Sequence, residues 1–150
     1  MLFFKSRKDK INEAKLSNVV KSLDNQLSGV VLVNELGGTD NIEDYKERIK
    51  DNFVWGYIHG FIWSFLNTID VPIEKKNEYE ENALNRLLTA TGSRTMAEIL
   101  EKKDETIMFG LGEEYAEEDF KNWEKTNIQP KKLGDFLIRG DKAINLDGID

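Results

Sequence analysis

The sequence predicts an all-α fold, a single domain over residues 1–150 built as a bundle of five or six helices. Apolar residues recur at steps of three and four along most of the chain, which is the period of an amphipathic helix. The 150 residues include only two prolines, and no internal repeat or low-complexity linker divides them. The alternative is a mostly α fold with a short strand at 30–33 or 135–138.

The first helix is predicted over residues 9–36. Its apolar positions lie on one side of the helix: Leu16, Val20, Leu23, Leu27 and Val30. Gly37 and Gly38 end it, because glycine readily takes the left-handed conformation that follows a helix C-terminus. Gly29 and the β-branched run at 30–33 leave a short strand as the competing prediction, although a continuous helix is favoured.

The second helix is predicted to begin at a polar cap at 39–41 and to continue through the uncharged stretch 53–66. With about 28 residues and a length of roughly 40 Å, it would form a long antiparallel hairpin with the first helix. The uncharged stretch alone spans roughly 21 Å, which is less than the roughly 30 Å of a bilayer interior. We therefore expect it to be the buried centre of the fold.

Two shorter helices are predicted to follow. The third begins near Pro72, a residue favoured at helix starts, and ends at Gly92. The fourth begins at the capping box 95–98 and extends to Ile107.

Gly110 and Gly112 predict a tight turn between the fourth and fifth helices. The fifth helix would then begin near Glu113 and end before Pro130. Residues 129–150 are predicted to form a partly ordered tail, a docked single turn or short strand that frays after Gly140.

The charge of the chain argues against nucleic acid as a partner. Its formal net charge is −7, with a pI near 4.9, so its field repels a polyphosphate backbone. The charge is unevenly distributed, because residues 1–21 contain six basic and two acidic residues. That segment carries a local net charge of +4, which leaves −11 for the remainder.

Residues 1–8 form a basic and apolar N-terminal tip. The apolar residues Leu2, Phe3 and Phe4 precede the basic ones, the reverse of the order in a secretory signal, so we expect a cytoplasmic protein. The tip could contact an anionic membrane surface through Leu2–Phe4. The favoured interpretation is that it covers part of the core or of a dimer interface.

The residue types present exclude several kinds of site. Without cysteine the chain has no disulfide, thiolate metal site, iron–sulfur cluster or cysteine nucleophile. With a single histidine it cannot form a multi-histidine metal site. The phosphate-binding, dinucleotide-binding and hydrolase motifs with defined spacing do not occur, so we expect no cofactor.

The candidate binding residues lie in the uncharged stretch: Trp55, Gly56, His59, Gly60 and Trp63. Two glycines four residues apart make a notch on one side of a helix, at a cost of roughly 1 kcal/mol each relative to alanine. Close packing against another helix is the favoured explanation, and an apolar ligand between the aromatic walls is the alternative.

His59 adjoins this notch and could act as a general base, a pH sensor or a single metal ligand. Its partner would have to be an acid on another helix, such as Glu98 or Glu114. The favoured interpretation is a core histidine with a hydrogen-bonding role.

The densest acidic cluster has five acids among the seven residues 113–119. Glu114, Glu117 and Glu118 are the alternative metal ligands, since carboxylate oxygens suit magnesium or manganese. Like charges on one helix more commonly form a solvated surface, and that interpretation is favoured.

The leading functional hypothesis is a non-catalytic cytoplasmic protein that acts through protein–protein interaction, either with itself as a homo-oligomer or with a basic partner. One alternative is a divalent-metal, carboxylate-dependent hydrolase of a small phosphorylated substrate. The other is a protein that binds an apolar ligand or a membrane surface.

Overall fold

A computed structural model describes residues 6–35, 48–49, 51–91 and 107–146 of the chain. These residues form five α-helices and one 3₁₀ turn: α1 (Arg7–Glu35), α2 (Asn52–Leu66), α3 (Ile73–Thr91), α4 (Ile107–Thr126), α5 (Lys132–Arg139) and the turn Gly140–Ala143. The fold is all-α, as predicted. The tip 1–5, the cap at 39–41, the capping box 95–98 and residues 147–150 lie outside the described residues.

Neither of the two alternative strands forms. Residues 30–33 lie within α1 and residues 135–138 lie within α5. In the first case α1 continues through the β-branched run. The β propensity of a few residues is a weak preference, and it does not outweigh the extension of a helix that is already formed. In the second, Leu133, Phe136 and Leu137 are buried together at helical spacing.

The uncharged helix α2 is the interior of the bundle. Of its fifteen residues, twelve are buried, and Phe53, Tyr57 and Phe61 are fully covered. Its rings contact those of other helices, such as Phe136 of α5, 4.4 Å from Phe53 between ring centroids. The prediction of a helix buried on nearly all sides is confirmed. None of the described helices combines the length and apolar character that a membrane crossing requires.

Asp51 begins α2, so the predicted continuous helix from residue 39 to residue 66 is wrong. Asp51 has extended backbone angles (φ −66°, ψ 142°), and its carboxylate accepts a hydrogen bond of 2.8 Å from the Phe53 N–H. An aspartate side chain competes for backbone donors, so it favours a helix start over a helix interior. The antiparallel hairpin of the first two helices stays a prediction.

Replacing this cap should weaken the fold measurably. Asp51→Ala should lower the free energy of unfolding by about 1 kcal/mol, because the Phe53 N–H loses its acceptor. Asp51→Asn keeps an acceptor oxygen and should lose much less. Urea denaturation followed by circular dichroism measures both, and equal losses would contradict the capping role.

Helix α4 continues through Gly110 and Gly112, so the predicted turn at these glycines is wrong. Glycine within a helix costs only about 1 kcal/mol, which tertiary contacts readily offset. Gly112 makes such a contact, because it is buried against α2.

Side chains from other parts of the fold cap α5 at both ends. Lys131 supplies no side-chain cap, but Gln26 of α1 accepts a 2.9 Å hydrogen bond from the Leu133 N–H. Arg48 donates to the carbonyl oxygens of Leu137 (3.2 Å) and Ile138 (2.5 Å) at the other end. These bonds satisfy backbone groups that a short helix leaves unpaired.

The tail prediction therefore needs correction. The segment is a two-turn helix where a single turn or strand was expected, and it stays packed beyond Gly140, with Ala143 and Ile144 buried. The reason is tertiary, since each end of α5 is held by a residue far away in the sequence.

Candidate functional site

The notch of α2 is filled by the backbone of α4. A Cβ on Gly56 would lie 2.8 Å from Phe109 Cα, and one on Gly60 would lie 2.8 Å from Glu113 Cα. In the other direction, a Cβ on Gly112 would lie 2.7 Å from the Tyr57 nitrogen. Real Cβ contacts essentially never fall below 3.0 Å, so the two helices approach as closely as glycine allows.

Four of the five candidate binding residues can be located relative to this helix contact, and His59 is described below. Trp55 is fully buried, and Gly56 and Gly60 face α4, as the favoured explanation of close helix packing predicts. Trp63 is only half-buried and borders a surface groove, described below. The space that an apolar ligand would need between the two glycines is occupied by α4.

The matching half of the contact lies in α4, where sequence reasoning placed a turn. Gly112 and Ala116 stand four residues apart, as Gly56 and Gly60 do, and the Ala116 Cβ lies 3.2 Å from a Cβ built on Gly60. Two segments with small residues at the same spacing were the signal that could have identified this pair.

His59 lies between two carboxylates from different helices. Its Nδ1 is 2.7 Å from Oε2 of Glu80 on α3, without the alignment of a hydrogen bond, and its Nε2 is 3.8 Å from Oε2 of Glu113 on α4. His59 and Glu80 are more than nine-tenths buried, whereas the Glu113 side chain is 42% exposed. The Trp63 and Phe109 rings complete its surroundings.

Sequence reasoning missed both acids. Glu98 lies outside the described residues, and Glu114 is exposed and borders a different surface pocket. Glu80 had a detectable signal, because it lies at helical spacing from the buried Ala83, Leu84 and Leu87 of α3. An acid at such a position requires a partner when the helix packs.

The acidic residues of α4 face in two directions. Glu114 and Glu118 border a pocket with Tyr115, while Glu117 lies beside Glu113 on the other side. The three alternative metal ligands therefore do not point at a common centre. Within the described ranges, no group of three histidine or acidic side chains is arranged to hold a metal ion.

A groove between α2 and α4, here called the acidic groove, combines aromatic and acidic side chains. Its volume is about 380 Å³, and its lining residues are Gly60, Trp63, Ser64, Asn67, Thr68, Glu113, Glu117, Phe120, Lys121 and Glu124. Lys121 pairs with Glu117 at 3.4 Å across two exposed side chains. Aromatic faces beside carboxylates suit a cationic group.

A second polar cluster joins three helices at Tyr57. The Tyr57 hydroxyl donates a 2.5 Å hydrogen bond to Asp119 Oδ2 on α4 and accepts one of 3.2 Å from Gln26 Nε2 on α1. Burial raises the pKa of Tyr57 well above its usual value, and the charge of Asp119 raises it further. Burial also raises the pKa of Asp119, against the hydrogen bonds from Tyr57 and the Lys132 N–H, which lower it.

Removal of this hydroxyl should be costly. Tyr57→Phe should lower the free energy of unfolding by about 1–3 kcal/mol, because Gln26 and Asp119 each lose a partner. In the wild type the raised pKa favours the protonated phenol in the folded state. The stability that this group contributes is therefore present below the unfolded pKa of about 10 and is lost as the pH rises through the folded pKa.

An ultraviolet absorbance titration of the phenolates tests this prediction. Burial raises the pKa of Tyr79 as well as that of Tyr57, so both proteins compared carry Tyr79→Phe. In the folded Tyr79→Phe parent Tyr57 should stay protonated and give a late ionisation step on alkaline unfolding. The Tyr57→Phe variant should lack that late step. A late step that persists in the variant would contradict the assignment.

The same cluster borders a surface cavity, here called the α5 cleft. It has a volume of about 730 Å³, and its lining residues are Asn25, Gln26, Asp119, Gln129, Pro130, Lys131, Lys132, Gly134, Asp135 and Ile138. Most of its accessible surface is apolar, although seven of these ten residues have polar or charged side chains. Gln26 and Asp119 connect the cleft to Tyr57. This volume lies within the range of small-molecule sites.

Comparison with protein-family models, curated proteins and solved structures found no match for this chain.

Proposed function

We propose that the protein is a non-catalytic helical module, cytoplasmic as its sequence predicts, that acts by binding protein chains and in particular by self-association. The observation that carries this proposal is the acidic groove. The half-buried Trp63 supplies its aromatic surface. Among the described lining residues, Glu113, Glu117 and Glu124 supply three carboxylates and Lys121 one cation. Such a composition is suited to a lysine or arginine side chain.

The chain itself carries a surface of the opposite charge. The first half of α1 has five exposed basic residues: Arg7, Lys8, Lys10, Lys15 and Lys21. A second copy could place this part of α1 along the acidic groove. Because the two surfaces differ, the contact would be head-to-tail, and a pair of copies would keep one free groove and one free basic helix for further copies.

Charge reversal tests self-association. Native mass spectrometry and sedimentation at micromolar concentration should show assembly of the wild type at low salt and its weakening at high salt. Glu117→Lys combined with Glu124→Lys should abolish assembly. Glu114→Lys combined with Glu118→Lys is the matched control, because it makes the same charge change on the other side of α4.

A mixing experiment makes the test specific. A variant with Lys10→Glu and Lys15→Glu should also fail to assemble alone, yet it should bind the groove-reversed variant, whose groove is then basic. A wild type that is monomeric under all salt conditions would overturn self-association. Equal losses in the groove-reversed and control variants would overturn the role of the groove.

The α5 cleft favours a second candidate function, the binding of an apolar small molecule. Most of the accessible surface of this cleft is apolar, and ligand cavities typically combine apolar surface with polar groups that orient the ligand. With decanoate as the probe, the melting temperature of the wild type should rise with probe concentration, and that of an Ile138→Glu variant should not. An identical response of both proteins would contradict binding in this cleft.

A further inference from the structure

We propose that the α5 cleft binds an organic cation, an ammonium group on an apolar body, and that Asp119 recognises its charge. The inference names the ligand class for the second candidate function and rests on that function. The cleft combines the two features that such a ligand requires, because most of its accessible surface is apolar and a carboxylate lies in its lining.

Asp119 is held in place by neutral groups. Its carboxylate accepts hydrogen bonds from the Tyr57 hydroxyl, at 2.5 Å, and from the Lys132 N–H. Neither donor carries a charge, and together they occupy two of the roughly four acceptor positions of a carboxylate. Asp119 can therefore accept a further hydrogen bond from a ligand, and an ammonium donor would also balance its charge.

Two other charged side chains of the cleft are already paired within the protein. Asp135 binds Arg139 through both carboxylate oxygens, at 2.6 and 2.7 Å. The Lys132 ammonium, whose charge acts on Asp119, donates a 2.8 Å hydrogen bond to the Ala143 carbonyl oxygen. Among the described residues of the cleft, Asp119 is then the acid without an ion-pair partner.

An anionic ligand would find a less suitable site. Its partners would be Lys131, which is exposed to water, and Lys132, whose ammonium is bound to a carbonyl oxygen. An ion pair in contact with water contributes little to binding. Asp119 would also repel the anion beside an apolar surface, where charges act more strongly than in water. The cleft should therefore prefer a cation to an anion with the same apolar part.

The positions of Asp119 and Ile138 indicate an elongated ligand. Asp119 binds the N–H of Lys132, the first residue of α5, and the half-buried Ile138 borders the cleft six residues further along the helix. Six residues correspond to about 9 Å along a helix axis. An alkyl chain attached to the ammonium group can span this distance and cover Ile138. Decylammonium is therefore a suitable probe, and decanoate, with the same number of carbon atoms and the opposite charge, is its counterpart.

Isothermal titration calorimetry with the two probes, at neutral pH and below their micelle concentrations, tests the inference. The wild type should bind decylammonium about ten- to a hundredfold more tightly than decanoate, the range expected for a hydrogen bond to a charged group. Asp119→Asn keeps an acceptor for Tyr57 and removes the charge, so the preference should fall below about threefold while decanoate still binds. Glu118→Gln is the matched control and should keep the preference, because it makes the same charge change at an exposed residue that borders a different pocket.

The outcomes separate this inference from the proposed function. If neither probe binds the wild type, the second candidate function fails and the inference fails with it. If the wild type binds both probes with equal affinity, the cleft accepts apolar ligands and the inference on charge is overturned, whatever the variants show. A preference that survives in Asp119→Asn, or that falls equally in Glu118→Gln, would also overturn it, because cations would then be attracted by the acidic protein in general.

Discussion

One added methyl group at Gly56 or Gly112 should destabilise the protein by about 3 kcal/mol, at the upper end of the range for overpacked interiors. At either position an alanine Cβ would overlap backbone atoms of the facing helix, 2.7 Å from the Phe109 carbonyl carbon or from the Tyr57 nitrogen. Backbone cannot move aside as a flexible side chain can, so α2 and α4 must separate along their length. For a chain of this size the melting temperature should fall by about 6–12 °C.

Gly110 is the matched control for this prediction. It lies on the same helix as Gly112, but a Cβ built there has no neighbour within 4 Å. Gly110→Ala should therefore stabilise the protein by about 0.5–1 kcal/mol through helix propensity alone. Thermal and urea denaturation of the three variants should give changes of opposite sign, and similar changes at Gly110 and Gly112 would contradict the close approach.

Breaking the His59–Glu80 pair should have an effect of similar or larger size. His59→Leu leaves the Glu80 carboxyl buried without its basic partner, and Glu80→Met leaves the ring without its acid. Removing one member of a buried pair costs about 3–5 kcal/mol, much of it from the group left behind. Each single variant should therefore be strongly destabilised.

The double variant distinguishes pairing from simple loss of packing. With His59→Leu and Glu80→Met together, both members of the buried pair are removed and neither is left without the other, so the loss should be much smaller than the sum of the two single losses. Glu81→Met, at the exposed neighbouring position of α3, should change stability by less than about 0.5 kcal/mol. Additive losses in the double variant would show that the two side chains act independently.

The central helix was predictable because its signal is local. Fourteen consecutive residues without charge, too short to span a bilayer, leave the protein interior as their place. The start at Asp51 was missed because residues before it also follow helical spacing, and the spacing did not show that the Asp51 side chain would compete for the backbone.

For the glycines at 110 and 112, in contrast, the local signal predicted the wrong structure. Read along the chain, two glycines separated by one residue indicate a turn. In the fold, the lost helix propensity is offset by the contact that Gly112 makes with α2. The candidate ligand notch of α2 and the glycines mistaken for a turn in α4 are thus the two sides of one helix contact. Neither segment, considered alone, indicates that the other is its partner.

The period of apolar residues and the absence of charge in mid-chain were enough to establish an all-α fold with α2 at its centre, because both depend on neighbours a few positions apart. Pairing across helices was decided by tertiary structure. Glu80 and Glu113 meet His59, and Gln26 and Arg48 hold α5, only when residues distant in sequence are brought together. The role of each of these polar groups depends on its burial and on its partner. Both are set by contacts between segments, so the sequence of one segment cannot predict them.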